Sequence, residues 1–342
     1  NASLQLDTVG RKALHEYEKG AKISTIQATI SAPWSYTVTK TINYTQEESF
    51  TITEQLIDEL TRTTEDKIAS DLQTNETVNQ LGLSLITQAT MDMLSNGYRV
   101  EKPQGSKANE FSLSRANVIA QEYLTDSLNE TCDKLFTSQD CRKLSFMLMM
   151  YSGLRYLLPE TYEICLVDIT YEATEIGIVR DGSLQYCTHT PFGSFSLARE
   201  MAAVLGVPVH ETFGYIHAQD PYAFMEQISA KQKKEIDEIF EAFVKKIDGL
   251  FHETGDTLSI PKRIAIHCDL KSEAFFKVLI ERAAKRSLKT SSTITLVSKE
   301  IIKQTYDESD KTSFINSHAD TALLLSALFF HTHRNSSFFV YS

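Results

Sequence analysis

Three short apolar runs follow one another between residues 163 and 190 with no helical pattern between them, and beyond residue 194 helical and strand patterns alternate. That order admits few folds. The runs 163–169, 175–180 and 184–190 read as a meander, the last two joined by the turn Asp181-Gly182. Helical periodicity covers 195–205, resumes at 211–217 and extends over 230–251, where Ile236, Ile239, Phe240, Phe243, Ile247 and Leu250 share a face. A strand at 263–267, a helix at 272–285, a strand at 293–297 and a helix at 319–331 complete this half. Such alternation predicts a sheet with helices packed over it.

The first half is read from caps and turns. Leu4, Leu6, Val9, Ala13, Leu14 and Tyr17 predict a helix over 2–19 that stops at Gly20. Residues 23–32 read as a strand broken by Pro33-Trp34, and 35–44 alternate Tyr36, Val38, Lys40, Ile42 and Tyr44 as a second strand. Thr53 is placed to cap a helix running to about residue 68. Residues 81–96 fit strand and helix equally, and end at Asn96-Gly97, a strong hairpin signal leading into 98–100. A strand at 111–120, a helix at 122–136 and a Met-rich core segment at 144–158 follow, closed by Pro159. A chain of 342 residues exceeds one ordinary core. The predicted division is 1–160 and 161–342, two lobes with a cleft, and hinges near 157–162 and 254–261.

Charge narrows the function classes. With 34 basic and 45 acidic side chains the net charge is −11, which repels phosphate backbones and argues against a nucleic-acid partner. The basic stretches at 231–234 and 285–286 are flanked by Glu235 and Glu281 and read as solvated helix faces. No run reaches the ~18 apolar residues of a membrane span, and the apolar stretch 321–330 reads as a buried helix. The sequence opens without Met or a leader, as a mature form or the ordered part of something longer would. Five cysteines without a Cys-x-x-Cys spacing are expected as buried free thiols in a reducing compartment; Asn-x-Ser/Thr triplets at Asn1, Asn43, Asn75, Asn129 and Asn335 pull weakly the other way.

The chemistry is carried by the strand that delivers Asp168 at its tip and then turns sharply to Thr174 and a second strand. A backbone bend of this kind can place amides around a phosphate, with a hydroxyl assisting and a carboxylate holding Mg²⁺ through water. The stretch Asp168-Ile169-Thr170-Tyr171-Glu172-Ala173-Thr174, continuing to Asp181-Gly182, resembles the phosphate loop of the actin-like ATPases, which reads Asp-Ile-Gly, a few residues, Thr, a strand and an Asx-Gly turn. Thr190-Pro191-Phe192-Gly193-Ser194 resembles that family's Pro-x-Gly-Gly turn into a helix. Residues 26–34 with Ile52-Thr53-Glu54, and Ser95-Asn96-Gly97-Tyr98 with Pro103-Gln104-Gly105-Ser106-Lys107, are similar to the inserted subdomain of the branch that contains FtsA and PilM. The order of these pieces agrees over residues 20–330.

The resemblance implies an α/β, two-lobed actin-like fold (actin, sugar kinase, heat-shock protein) with an inserted α+β subdomain in the first lobe. It implies ATP and Mg²⁺ as cofactors, with Asp168, Thr170, Tyr171, Thr174, Gly193 and Ser194 at the nucleotide and Asp168 as the acid that holds Mg²⁺ through water. The departures imply that nucleotide binding is degenerate or lost. Thr170 replaces the Gly after Asp-Ile, and its Cβ obstructs close approach to a phosphate. The family's N-terminal phosphate hairpin has no counterpart, and Cys268-Asp269-Leu270-Lys271 stand where its adenine-side Gly-Gly would be. The expected role is a PilM-like cytoplasmic scaffold in assembly of a type IV pilus or related envelope machine. It would be recruited to the inner face of the membrane by the cytoplasmic tail of a membrane protein. An FtsA-like polymer with self-association, or an active Mg-ATPase, are the alternatives; the nine residues 334–342 are too few for FtsA's membrane helix.

Other chemistry-bearing residues have plainer readings. His331 and His333 suit a helix C-terminus, where cations complement the dipole, better than a metal site. His267 and Cys268 are adjacent on a strand and must face opposite ways, which excludes a Cys–His nucleophile pair. Ser152-Gly153 lacks the elbow of a serine hydrolase. Trp34 reads as either a packing anchor, the favoured reading, or part of a partner surface.

Overall fold

Polar–apolar alternation makes long strands of the first half. The computed structural model describes residues 2–17, 23, 25–74, 82–135, 140–253, 260–269, 272–288, 290–298, 300–302, 320–333 and 339–341. It begins with α1 (Ala2–Tyr17), β1 (Thr25–Ile30), β2 (Ser35–Thr51) and α2 (Glu54–Thr74). Thr53 caps α2 as expected, its hydroxyl accepting the Leu56 amide at 3.2 Å. The ambiguous stretch resolves as β3 (Leu83–Ser95), turned by Asn96 and Gly97 at φ 50° and 79° into β4 (Tyr98–Arg99). Two successive positive φ values are what a tight hairpin needs. β5 (Lys107–Gln121), α3 (Glu122–Leu135) and β6 (Asp140–Ser145) follow.

Contacts divide the chain into two units that are not contiguous in sequence. One holds Asn1–Ile30, Lys40–Ser145 and Asn335–Ser342; the other holds Ser31–Thr39 and Phe146–Arg334. The expected boundary at residue 160 therefore falls inside the second unit. The first unit has a sheet in the order β12-β3-β5-β2, with β4 beside β3, and β12 is Phe339–Tyr341. Ile42, Ile52, Leu60, Ala108, Phe111 and Leu113 form a core in this unit. A separate parallel pair joins β1 to β6.

The second unit begins with α4 (Phe146–Leu157), the Met-rich segment, whose residues from Phe146 to Leu154 are all buried. Its sheet has the order β11-β10-β7-β8-β9, where β7 is Ile164–Ile169, β8 Thr174–Arg180, β9 Ser183–Thr190, β10 Arg263–Cys268 and β11 Thr293–Leu296. The meander is antiparallel, and β10 runs parallel to both β7 and β11. One face carries Cys165, Val167, Ile169, Ile176 and Ile178, packed with α5 (Ser194–Leu205), α6 (Val209–Ile216), α7 (Ala230–Glu253) and α8 (Glu273–Leu288). The other face receives α4, closely enough that a Cβ on Gly177 would lie 2.7 Å from Met147 Sδ. α4 packs in turn on α9 (Thr321–His333), where a Cβ on Gly153 would meet Leu325 at 3.2 Å.

Two short strands escaped the sequence pattern. β6 reads Asp-Cys-Arg-Lys-Leu-Ser, and it is tertiary pairing, with Lys143 buried and donating to Asn129 Oδ1 at 3.0 Å, that makes it a strand. β12 has three residues and exists only through its antiparallel register with Thr87–Ala89 of β3. Residues 20, 75, 81, 270, 271, 319 and 334–338, which carried several expectations, lie outside the described residues. The basic stretches are solvated faces as expected: Lys231 and Lys234 pair with Glu235 and Glu238, and Arg286 with Glu241 at 2.7 Å.

The second core rests on rings that solvent does not reach. Phe243→Ala, at a fully buried position on α7, is expected to lose ~3–5 kcal/mol, whereas Lys231→Ala, with its exposed ion pair, should change stability by less than ~0.5 kcal/mol. Urea denaturation of both variants checks the contrast.

Candidate functional site

Successive residues of a strand face opposite ways, so the apolar partners of Val167 and Ile169 leave Asp168 on the α4 face of the sheet. There it is 1% exposed. β10 sets His267 directly opposite, and the imidazole Nδ1 donates to Asp168 Oδ1 at 2.7 Å. Phe146, the first residue of α4, covers the imidazole with ring centroids 4.6 Å apart. Burial works against a charge on His267, but the hydrogen bond and charge of Asp168, with Asp269 and Asp320 beyond, outweigh it and raise the pKa. The pair is therefore a buried, hydrogen-bonded His–Asp couple that favours the proton on the imidazole.

The row continues across the sheet. Glu175 lies opposite Asp168 on β8, and His189 opposite Glu175 on β9. Glu175 is buried, and neither of its oxygens has a hydrogen-bond partner among the described residues. Burial and the neighbouring Asp168 charge push it well above the usual carboxylate range, so it holds its proton. Four titratable side chains thus cross four strands in register, with the charged couple at one end.

The turn between β7 and β8 closes on itself. The Thr170 amide donates to Ala173 O at 2.9 Å, and the Ala173 amide to Thr170 Oγ1 at 3.1 Å. The first amides of α5 point at the same turn: Ser194 N–H donates to Thr170 O at 2.9 Å and Phe195 N–H to Tyr171 O at 3.0 Å. Gly193 allows this approach, since a Cβ there would lie 2.4 Å from Thr170 O and 2.6 Å from Ala173 N. Thr174 is fully buried and its hydroxyl donates to Phe192 O at 2.9 Å. The Tyr171 amide donates to Asp269 Oδ2 at 3.2 Å. Burial, and then repulsion by Asp168, push Asp269 up to about 6.

The structure brings Asp168, Thr170, Tyr171, Thr174, Gly193 and Ser194 together around one turn. In this geometry they do not fit a Mg²⁺-nucleotide. One oxygen of the carboxylate that would order the cation's water is taken by His267, and the other is buried without a hydrogen-bond partner among the described residues. Loop amides that would face a phosphate donate to Ala173, Thr170 and Tyr171 oxygens, and one donates to the carboxylate of Asp269. A helix N-terminus with free amides attracts anions; here internal acceptors take that place. Thr170 itself is unstrained, since Asn96 and Asp181 are the non-glycine residues with positive φ among those described. The obstruction lies in the hydrogen bonds of the turn.

His267, Asp269 and Glu175 were not among the expected site residues. The expectation that His267 and Cys268 diverge holds: one meets Asp168, the other lies in the opposite core. The signal that would have found His267 is its position at the end of a strand that becomes the parallel neighbour of β7, a pairing no local pattern contains. Trp34 departs from the favoured packing reading; it is 41% exposed and its indole N–H donates to Glu172. His331 and His333 sit in the last turn of α9. No group of three or more metal-ligating side chains is found among the described residues.

No family model and no curated protein matches the sequence. Among solved structures the chain is similar to the PilM–PilN type IV pilus biogenesis complex, at 11% identity over 95% of this chain and 84% of that one, with a TM-score of 0.56. Looser likenesses include the ethanolamine utilization protein EutJ from Carboxydothermus hydrogenoformans (11% identity, 50% of this chain and 67% of that one, TM-score 0.33). Another is a Bacteroides thetaiotaomicron protein with actin-like ATPase fold and unknown function (9% identity, 84% and 75% covered, TM-score 0.35). The chain has a two-lobed, actin-like α/β fold similar to that of the PilM–PilN complex structure, and at this identity the likeness is one of fold alone.

Two outcomes follow from the closed turn. Gly193→Ala drives a methyl group into backbone atoms that cannot rotate away, and should cost ~2–3 kcal/mol in chemical denaturation. The second outcome concerns pH. His267 binds its proton more tightly in the native state, so its contribution is complete below the unfolded value of ~6.5 and fades as pH rises through the higher native value. Asp269, pushed up to about 6, and Glu175 also favour the protonated native state, and each withdraws stability as pH rises. The melting temperature should fall from about pH 4 to about pH 8, and Asp269→Asn should remove the part of that fall that lies between the unfolded carboxylate value of ~3.9 and the native value of about 6.

Proposed function

We propose that this chain is a PilM-like scaffold that acts by holding a protein partner, with its inherited nucleotide site closed. The partner would be the cytoplasmic tail of a membrane protein in a type IV pilus or related envelope machine, placing the chain at the inner face of the membrane. The observation that carries this reading is the doubly engaged phosphate turn: His267 on Asp168, and Asp269 on the Tyr171 amide. A site that turns over ATP needs amides and a carboxylate free to meet charge on the substrate. In this chain the same groups hold the fold.

The partner half of the proposal is supported by the fold shared with the PilM–PilN complex. No described helix is long and apolar enough to cross a membrane. Recruitment through another protein's tail is the attachment that this reading uses. Asp168, Thr170, Tyr171, Thr174, Gly193 and Ser194 then remain as a structural joint between β7, β8 and α5.

Calorimetric titration of ATP with and without Mg²⁺ tests the closed site. The wild type should show no Mg-dependent binding. Mg-dependent binding by the wild type that disappears in Asp168→Ala would overturn the scaffold reading in favour of a working ATPase. ATP-dependent light scattering by the wild type would instead favour an FtsA-like polymer.

A further inference from the structure

Five thiols are present, and among the described residues two of them meet. Cys132 on α3 and Cys141 on β6 have their Sγ atoms 3.2 Å apart, and both are free. A disulfide needs a sulfur separation of ~2.05 Å, so closing the pair requires an approach of little more than ~1 Å. Cys165 and Cys268 are buried in the sheet core of the other unit. Cys187 lies on β9 of that unit. Among the described residues, the thiol–thiol contact is that of Cys132 with Cys141.

The two sulfurs differ in access. Cys132 is 6% exposed, whereas Cys141 is only half-buried. Burial, and then the adjoining Cys141, push the Cys132 thiol up to about 12. Lys143 counters this in part. Its ammonium donates to Asn129 Oδ1 at 3.0 Å and reaches Cys141 O at 3.5 Å, and its charge favours a thiolate at Cys132. This is the arrangement of an accessible thiol that reacts first beside a buried one that resolves.

We propose that Cys132 and Cys141 form a dithiol modification site that small-molecule disulfides, of the oxidised-glutathione class, convert reversibly to an intramolecular disulfide. The Cys141 thiolate attacks one sulfur of the reagent, whose S–S bond breaks and releases one thiol. Cys132, losing its proton, then attacks Cys141 Sγ and displaces the second thiol. Two cysteine thiols are oxidised, one reagent disulfide is reduced, and the two protons end on the two released thiols. The product joins α3 to β6, the strand that among the described residues pairs in its sheet with β1 alone. The redox state would thereby set how firmly that parallel pair is held. The inference is independent of the closed nucleotide site.

Oxidised glutathione added to the full chain, followed by non-reducing peptide mapping and a free-thiol count, tests the site. The expected result is a Cys132–Cys141 link, a thiol count lower by two, and reversal by dithiothreitol. Cys132→Ser should trap a glutathione adduct on Cys141, and Cys141→Ser should leave position 132 unmodified. A wild type that retains a stable adduct at Cys141 without the link, links other cysteines instead, or leaves Cys141 unreacted refutes the proposal. The wild-type map decides it even where a serine variant folds poorly.

Discussion

The hydrogen-bonded charge pair between Asp168 and His267 is the constraint around which the second unit is arranged. Both groups are almost wholly removed from water, and a carboxylate in that position is tolerable only with a positive partner at bonding distance. His267 supplies it because β10 lies parallel to β7 with His267 in register. Phe146 then seals the couple from above. A buried pair of this kind need not add to net stability, but removing either member would strand a charge. It therefore specifies which strand is the neighbour of β7.

The turn after β7 follows from the same economy of polar groups. Buried or half-buried amides require acceptors, and the structure provides them from the turn's own carbonyls, the Thr170 hydroxyl and Asp269. Gly193 contributes nothing but its missing side chain, which lets the start of α5 reach the turn. The amides and carbonyls of this turn are thus satisfied from within the protein. Glu175, protonated and unpartnered, is the residual cost of that arrangement.

Much of the architecture was legible along the chain. The β7–β8–β9 meander, the Asp181-Gly182 and Asn96-Gly97 turns, the Thr53 cap and the face of α7 appear where periodicity and turn chemistry place them. Each is decided by residues within a few positions of one another. β6 and β12 were hidden for the opposite reason, since a polar hexapeptide and a three-residue tail become strands only through partners remote in sequence. Trp34 misled because a lone tryptophan after proline reads as core, whereas Glu172 offers its indole nitrogen a partner at the surface.

The sequence by itself determined that an acid would end the strand at 168, that a tight turn would follow it, and that Gly193 would open a helix nearby, because these depend on alternation and backbone freedom over short stretches. Only the tertiary structure decided what the acid does. His267 and Asp269 lie about a hundred residues downstream, separations of 99 and 98 from their partners, and they reach the turn only once β10 has paired with β7. Whether buried charges are matched from within or left for a ligand is a property of strand order, which no local pattern encodes.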